Sequence, residues 1–286
     1  MSTVATVRFA IGYQPALHGL DPDHLVSSAR HAETCGFEGL YLPEHVALYR
    51  GASLGAMELP PSTPYLDPLD CLAYVAAATS RLLLGTAVLL LPYHHPVTLA
   101  KRVATVDVLS GGRLRLLTVG VGALPGEAAA VGVDFTTRGR RADEAIDVLR
   151  LLWTGGPVGF AGEFFPLTDV ASYPRPLARL PLHVGGSSMA AARRAGRRGD
   201  GYFAGGRLLP DERARQWAAA RQAAVDAGRD PDALEYTRWG SIDMPASTVE
   251  ALAGQGVTRL VVSAASSDPT EQKDQLSAFA ARFGLS

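Results

Sequence analysis

A glutamate–histidine pair that follows a short apolar run is the first candidate for chemistry in this chain of 286 residues. The pair is Glu44-His45, and the run before it, residues 39–42, is a predicted β-strand. Imidazole suits proton transfer near neutral pH because its unperturbed pKa is about 6.5. A histidine that only hydrogen-bonds loop backbone would look the same in the sequence, so the surrounding elements must decide between these interpretations.

A turn of glycines and serines is the second candidate, and it would bind an anion. Gly185 and Gly186 follow the predicted strand 182–184, and Ser187 and Ser188 open a predicted helix, 187–198. Glycine lets the backbone approach a ligand closely, and the first N–H groups of a helix carry a partial positive charge. These residues predict a phosphate-binding turn, although an ordinary strand–helix connection can have the same composition.

A third group of candidate residues lies at and beyond the end of the predicted strand 113–120. Gly120 and Gly122 would leave room for a flat ring, and Glu127 comes a few residues later. Glu127 is expected either to fix a polar edge of that ring or to orient His45. The alternative is a carboxylate that only stabilises the start of a helix.

Other chemistries find less support. His94 and His95 are adjacent, so their side chains diverge, and neither His-x-His nor His-Glu-x-x-His occurs, which predicts no metal site. A Schiff-base aldolase needs a lysine at a strand end, but Lys101 and Lys273 fall in predicted helices. A glycosidase needs two facing carboxylates and stays open as a weak rival. Its candidate carboxylates are Glu44, Glu127 and Asp243.

The elements that would position these residues alternate between short apolar runs and longer amphipathic segments. Eight strand–helix pairs predict a closed (β/α)8 TIM barrel, whose active sites lie at the carboxyl ends of the strands. An open doubly wound sheet is the alternative, because periodicity cannot show closure. The predicted strands are 7–13, 39–42, 82–91, 113–120, 182–184, 201–204, 236–242 and 259–263.

Two insertion loops depart from a minimal barrel, one after strand 2 and one before strand 5. Residues 43–66 are rich in proline and glycine and are interpreted as a lid over the catalytic end. Residues 154–181 contain a predicted hairpin at 158–165. No linker, repeat or low-complexity tract divides the chain, so residues 1–286 are predicted to form a single domain.

Composition narrows the possible partners and the compartment. The formal net charge of −1 argues against nucleic acid or an anionic membrane as a partner. The longest apolar run, residues 82–91, is too short to span a membrane, and the first residues lack a signal-peptide pattern, so a cytoplasmic protein is expected. Cys35 and Cys71 are expected to be buried free thiols.

Residues 85–113, GTAVLLLPYHHPVTLAKRVATVDVLSGGR, resemble the signature of luciferase-like oxidoreductases. The resemblance is strongest to the branch that uses the deazaflavin coenzyme F420, and it extends over most of the chain up to about residue 205. Shorter matches include LYLPEH at 40–45 and LHVGG at 182–186.

The resemblance implies roles for the candidate residues. His45 would handle a proton beside the hydride-accepting carbon of the cofactor, with Glu44 as the neighbouring acid and Glu127 near the ring. The peptide between Ala87 and Val88 would be cis and bulge against the back of the ring. Residues 185–188 would hold the cofactor phosphate, and Arg193 or a neighbouring arginine could meet the acidic tail of F420.

The expected function is hydride transfer between F420 and a small organic substrate. An FMN-dependent luciferase-like monooxygenase is the alternative, and a cofactor-binding protein without turnover is a weaker one that the intact His45 disfavours. A homodimer is usual for the resemblance. Ala123 and Tyr202 stand where the family often has an aromatic residue and a tryptophan, respectively, which leaves the substrate open.

Overall fold

The computed structural model describes residues 7–206 and 208–286. Residues 1–6, part of the segment for which the sequence predicts no signal peptide, lie outside this range. Eight parallel strands pair side by side, and β5 also pairs with β4, so the sheet closes on itself. The prediction of a (β/α)8 TIM barrel is therefore confirmed. The strands are β1 (Arg8–Gly12), β2 (Gly39–Leu42), β3 (Leu83–Thr86), β4 (Leu114–Gly120), β5 (Leu182–Gly186), β6 (Gly201–Ala204), β7 (Glu235–Trp239) and β8 (Arg259–Val262).

Three helices on the outside of the barrel begin at the aspartates that the sequence predicts as caps. The carboxylates of Asp21, Asp67 and Asp268 accept hydrogen bonds from backbone N–H groups of the first turn, and a proline follows each. Among the described residues, no helix is long and apolar enough to cross a membrane. The main helices are α1 (Pro22–Thr34), α2 (Pro68–Ala78), α3 (Pro96–Leu109), α4 (Arg138–Leu152), α5 (Met189–Arg198), α6 (Pro210–Asp226), α7 (Ala246–Gly254) and α8 (Pro269–Phe283).

The predicted strand at 82–91 is wrong as a single element. It divides into β3 and a two-residue strand, Leu89–Leu90, because the chain turns at the peptide between Ala87 and Val88. That peptide is cis, as the resemblance implied. A short helix, Pro125–Ala130, follows β4 and was not predicted; its six residues are too few to show helical periodicity.

The hairpin before β5 also differs from its prediction. Its strands are Val158–Phe160 and Leu167–Val170, so residues 161–166 form the turn. The N–H groups of Glu163, Phe164 and Phe165 bond to the carboxylate of Glu144 on α4, which keeps these residues out of a strand. Cys35 and Cys71 are free, as predicted, although both are half-buried and not fully buried.

Side chains that point along the barrel axis form distinct layers. Ala10, Tyr41, Leu116, Phe203 and Val261 form an apolar cluster in the middle. Arg259, the first residue of β8, lies below this cluster and bonds to carboxylates of neighbouring strands. At the carboxyl ends of the strands, β1, β4 and β5 end in glycine, and neighbouring side chains occupy the space at Gly12 and Gly120.

Val88 fills the space between the ends of β4 and β5. A Cβ atom added at Gly120 would lie 2.5 Å from Val88 Cγ2, and one added at Gly185 would lie 2.4 Å from Val88 Cγ1. These two glycines therefore make room for a protein side chain, in addition to any role toward a ligand. At Gly122 the Tyr93 hydroxyl takes the corresponding space, because an added Cβ atom would lie 2.3 Å from Tyr93 Oη.

Replacing Gly185 by alanine is expected to lower the free energy of unfolding by about 1–3 kcal/mol, the usual cost of overpacking. The loss should shrink in a Val88→Ala background, because the clashing methyl group is gone. Gly205→Ala is the matched control, since its added Cβ would meet nothing closer than 3.8 Å. Urea denaturation of the four-member cycle measures the coupling. Equal costs of Gly185→Ala in both backgrounds would contradict this account.

Candidate active site

The side chain of His45 lies at the catalytic end of the barrel and is held by Glu127. β2 carries His45 to this end, and the unpredicted helix Pro125–Ala130 carries Glu127. His45 Nδ1 lies 3.0 Å from Glu127 Oε2, and the Val46 N–H donates to Glu127 Oε1 at 2.7 Å. Glu127 is fully buried. Of the two roles expected for Glu127, the contact seen here is the one that orients His45.

The contact with Glu127 determines which imidazole atom can act on a substrate. A carboxylate accepts the Nδ1 proton, so in the neutral ring Nε2 carries the lone pair. Tyr65, from the insertion after β2, packs edge-on against the imidazole with 4.7 Å between ring centroids. Burial raises the pKa of Tyr65, and the negative charge of Glu127 adds to that effect. The imidazole is therefore held from two sides, by Glu127 at Nδ1 and by the ring of Tyr65.

Glu44 faces a different partner from His45. Its buried carboxylate accepts the Leu90 N–H at 2.5 Å through Oε2 and lies 2.9 Å from His94 Nε2 through Oε1. Both carboxylate oxygens are engaged, so Glu44 ties the segment after Val88 to the end of β2. His94 was considered in the sequence only as a possible metal ligand. No local signal could have revealed this pair, because the two residues are 50 positions apart.

The glycine-serine turn leads from β5 into α5. Ser188 is the N-cap of that helix, and its Oγ accepts the Ala191 N–H at 3.2 Å. Gly186 has φ +144°, a conformation that favours glycine, and the side chains of Ser187 and Ser188 are exposed. The turn therefore has the backbone geometry and the helix N-terminus that an anion site needs.

The arginines of α5 divide into two sets. Arg194 is buried and lies 2.6 Å from Asp143, and Arg198 lies 3.1 Å from Asp147, so both tether α5 to α4. Arg193 and Arg197 are exposed. Arg193 is the nearer of these two to the start of α5, and Arg197 lies in its last turn.

Trp239 is a residue of the catalytic end that the sequence did not single out. It is the last residue of β7, it is 39% exposed, and its ring lies 5.2 Å from that of Phe203. A Cβ added at Gly12 would come within 2.8 Å of the indole and of Ser263 Oγ. A large aromatic residue at a strand end was the available signal, but the predicted strand ran on to residue 242 and hid it.

Residues 7–206 and 208–286 contain no group of three or more histidine, cysteine, aspartate or glutamate side chains that could hold a metal ion. Two histidine–carboxylate pairs lie at the catalytic end, His45 with Glu127 and His94 with Glu44.

The family model described as "Luciferase-like monooxygenase" matches residues 1–251. The chain belongs to this family. The resemblance read from residues 85–113 is thereby confirmed at the level of the family.

Curated relatives of this luciferase-like protein include enzymes whose names state a cofactor. This chain is 34% identical over 215 residues to the F420-dependent hydroxymycolic acid dehydrogenase of Mycobacterium tuberculosis. The matched residues cover 74% of this chain and 56% of the relative. It is also 31% identical over 258 residues to the F420-dependent glucose-6-phosphate dehydrogenase of Kribbella flavida. That match covers 82% of this chain and 74% of the relative.

Solved structures share the fold of this luciferase-like protein. An F420-dependent secondary alcohol dehydrogenase in complex with an F420-acetone adduct superposes with a TM-score of 0.81 at 18% identity, over 97% of this chain and 98% of that one. The FMN complex of the oxygenating constituent of 3,6-diketocamphane monooxygenase from Pseudomonas putida has a TM-score of 0.67 at 17% identity, over 88% and 72% of the two chains. At these identities the likeness concerns the fold alone.

Proposed function

We propose that this protein is an oxidoreductase that transfers a hydride between coenzyme F420 and a small organic substrate. The observation that carries the proposal is His45, fixed by the buried Glu127 at the catalytic end of the barrel. The two F420-dependent relatives above support F420 over FMN. Their names give different substrates, so the substrate of this chain is proposed only as a small organic molecule.

The residues at the catalytic end suit such a cofactor. Tyr93 Oη and Ser263 Oγ are buried near this end and have no hydrogen-bond partner within the described part of the chain. Buried polar atoms without partners are uncommon in proteins and often mark the place of a ligand or water. The glycine-serine turn at 185–188 would hold the phosphate, and the Val88 bulge would support the ring.

Each residue has a defined task in this proposal. F420, when bound, would supply two-electron hydride chemistry, and the protein would bind and orient its ring. His45 Nε2 takes the proton of a substrate hydroxyl during oxidation, or returns it during reduction. Glu127 orients the imidazole, and Glu44 with His94 holds the segment after Val88 in place. A cytoplasmic homodimer with one domain per chain is part of the same proposal and rests on the family resemblance and the composition.

Titration of the apo-protein with F420 and with FMN tests the choice of cofactor. Intrinsic fluorescence should report a dissociation constant for F420 at least about tenfold below that for FMN, which corresponds to about 1.4 kcal/mol. Loss of the visible absorbance of oxidised F420 on addition of an alcohol panel would then identify substrates. Tighter binding of FMN, with turnover that consumes oxygen, would replace the proposal by the monooxygenase. Binding of F420 without turnover of any alcohol, aldehyde or imine would favour a binding protein.

A further inference from the structure

Two buried side chains hold the glycine-serine turn from behind. The Tyr202 hydroxyl, on β6, donates to the Gly186 carbonyl at 2.9 Å, and the Gln216 Nε2 amide, on α6, donates to the Ser187 carbonyl at 3.0 Å. The same hydroxyl lies 2.5 Å from Gln216 Oε1, so its single proton is shared between two acceptors. The Gly205 N–H adds a further hydrogen bond to the Gly186 carbonyl at 3.0 Å.

Tyr202 and Gln216 sit in a rigid and mostly apolar setting. Both are buried, and the Tyr202 ring is stacked on that of Tyr236, 6.1 Å away and nearly parallel. The Trp217 ring is also stacked on that of Tyr236, with 4.4 Å between the centroids. Burial raises the pKa of Tyr202, so its hydroxyl stays protonated and remains a donor. Buried polar groups of this kind are costly to leave without partners, so the arrangement strongly favours one orientation of the turn.

Peptide geometry converts these contacts into a statement about the ligand side of the turn. In a trans peptide the N–H points opposite to the C=O of the same unit. Tyr202 and Gly205 hold the Gly186 carbonyl, so the Ser187 N–H points away from these two donors. Gln216 holds the Ser187 carbonyl in the same way, so the Ser188 N–H points away from Gln216. Within residues 7–206 and 208–286, neither N–H donates a hydrogen bond.

We infer that Tyr202 and Gln216 are positioning residues that aim the N–H groups of Ser187 and Ser188 at the cofactor phosphate. The inference rests on the proposed function for the identity of the anion. It gives Tyr202, which stands where the family often has a tryptophan, a role toward the cofactor. Tyr202 lies behind the turn and contacts its backbone, so its hydroxyl acts on cofactor binding.

A pair of ligands, with and without the phosphate and the tail joined to it, tests this inference. Tyr202→Phe removes the hydroxyl and keeps the aromatic stack, and Gln216→Met removes the amide and keeps the side-chain length. Each variant should weaken F420 binding about 5- to 30-fold, the range for losing one or two hydrogen bonds, some of them to a charged group. Affinity for the ribityl deazaflavin, which lacks both the phosphate and the tail, should stay within about twofold. Tyr236→Phe is the matched control, because it changes the same stack without a contact to the turn.

The outcomes separate this inference from the proposed function. If both ligands weaken equally, or F420 binding is unchanged, Tyr202 and Gln216 do not position the phosphate site. If the wild-type chain binds FMN and not F420, the comparison of FMN with riboflavin measures the same ratio, so the positioning role is decided although the proposed function has failed. A wild-type chain that binds neither pair overturns both. Thermal unfolding identifies a variant that does not fold, and the other variant then decides.

Discussion

Replacement of His45 by alanine is expected to lower kcat about 100- to 10,000-fold, the usual contribution of a positioned acid or base. The loss follows from the proposed role of His45, because Glu127 engages Nδ1 and leaves Nε2 as the ring atom proposed to exchange a proton with the substrate. Affinity for F420 should change by less than about threefold. The glycine-serine turn and Val88, which are proposed to hold the cofactor, do not include His45.

The measurement is steady-state turnover combined with a cofactor titration of the same variant. His95→Ala is the matched control: His95 caps α3 through a contact of 3.4 Å with the Val97 N–H and lies edge-on to Phe165. The kcat of His95→Ala should stay within about threefold of the wild-type value, because His95 has no proposed role in the reaction. Wild-type kcat in His45→Ala, with chemistry shown to be rate-limiting, would remove the proton-transfer role.

Replacement of Arg259 by leucine is expected to lower the free energy of unfolding by about 3 kcal/mol, the cost of breaking a buried ion pair. Arg259 is buried and donates to Glu38 Oε2 at 2.6 Å and to Glu235 Oε2 at 2.6 Å. Without the guanidinium, two carboxylates would face each other at the lower end of the barrel. Their side chains are 17% and 29% exposed, so water offsets part of the loss and the lower end of the usual range applies.

Arg8→Leu is the matched control for Arg259→Leu. Arg8 contacts the same two carboxylates, Glu38 at 3.3 Å and Glu235 at 2.5 Å, but its side chain is 42% exposed. Its loss should cost less than about 1 kcal/mol, as for exposed ion pairs. Urea denaturation with an unchanged m-value measures both losses. Equal losses in the two variants would contradict the view that burial makes Arg259 decisive.

The pH dependence of the Arg259 variant gives an independent check. Burial by itself would raise the pKa of Glu235, but the hydrogen bond and charge of Arg259 outweigh it and lower the pKa to about 2. The carboxylate is then stabilising above its ordinary pKa of 4.5, and this contribution is lost as the pH falls toward 2. The stability difference between wild type and Arg259→Leu should therefore be full at neutral pH and shrink in that window.

Local signals in the sequence determined most of the elements. The Asp67-Pro68 and Asp268-Pro269 pairs predicted helix starts because a capping carboxylate and a proline act on the N–H groups of the next few residues. Strands β2 and β6 were predicted with the observed limits, since a glycine precedes or opens each apolar run. Eight pairs of a strand followed by a helix predicted the barrel. The ends of the predicted strands placed His45 and the glycine-serine turn at its catalytic end.

The tertiary structure alone decided which of these residues meet. His45 and Glu127 are 82 positions apart, and Glu44 pairs with His94 and not with the adjacent His45. Val88 fills the space left by Gly120 and Gly185, and Tyr202 reaches the turn that follows β5. Helix caps and strand periodicity arise from neighbours along the chain, so the sequence displays them directly. Contacts across the barrel depend on how closure sets one strand against another, and that register leaves no mark on the residues of either strand.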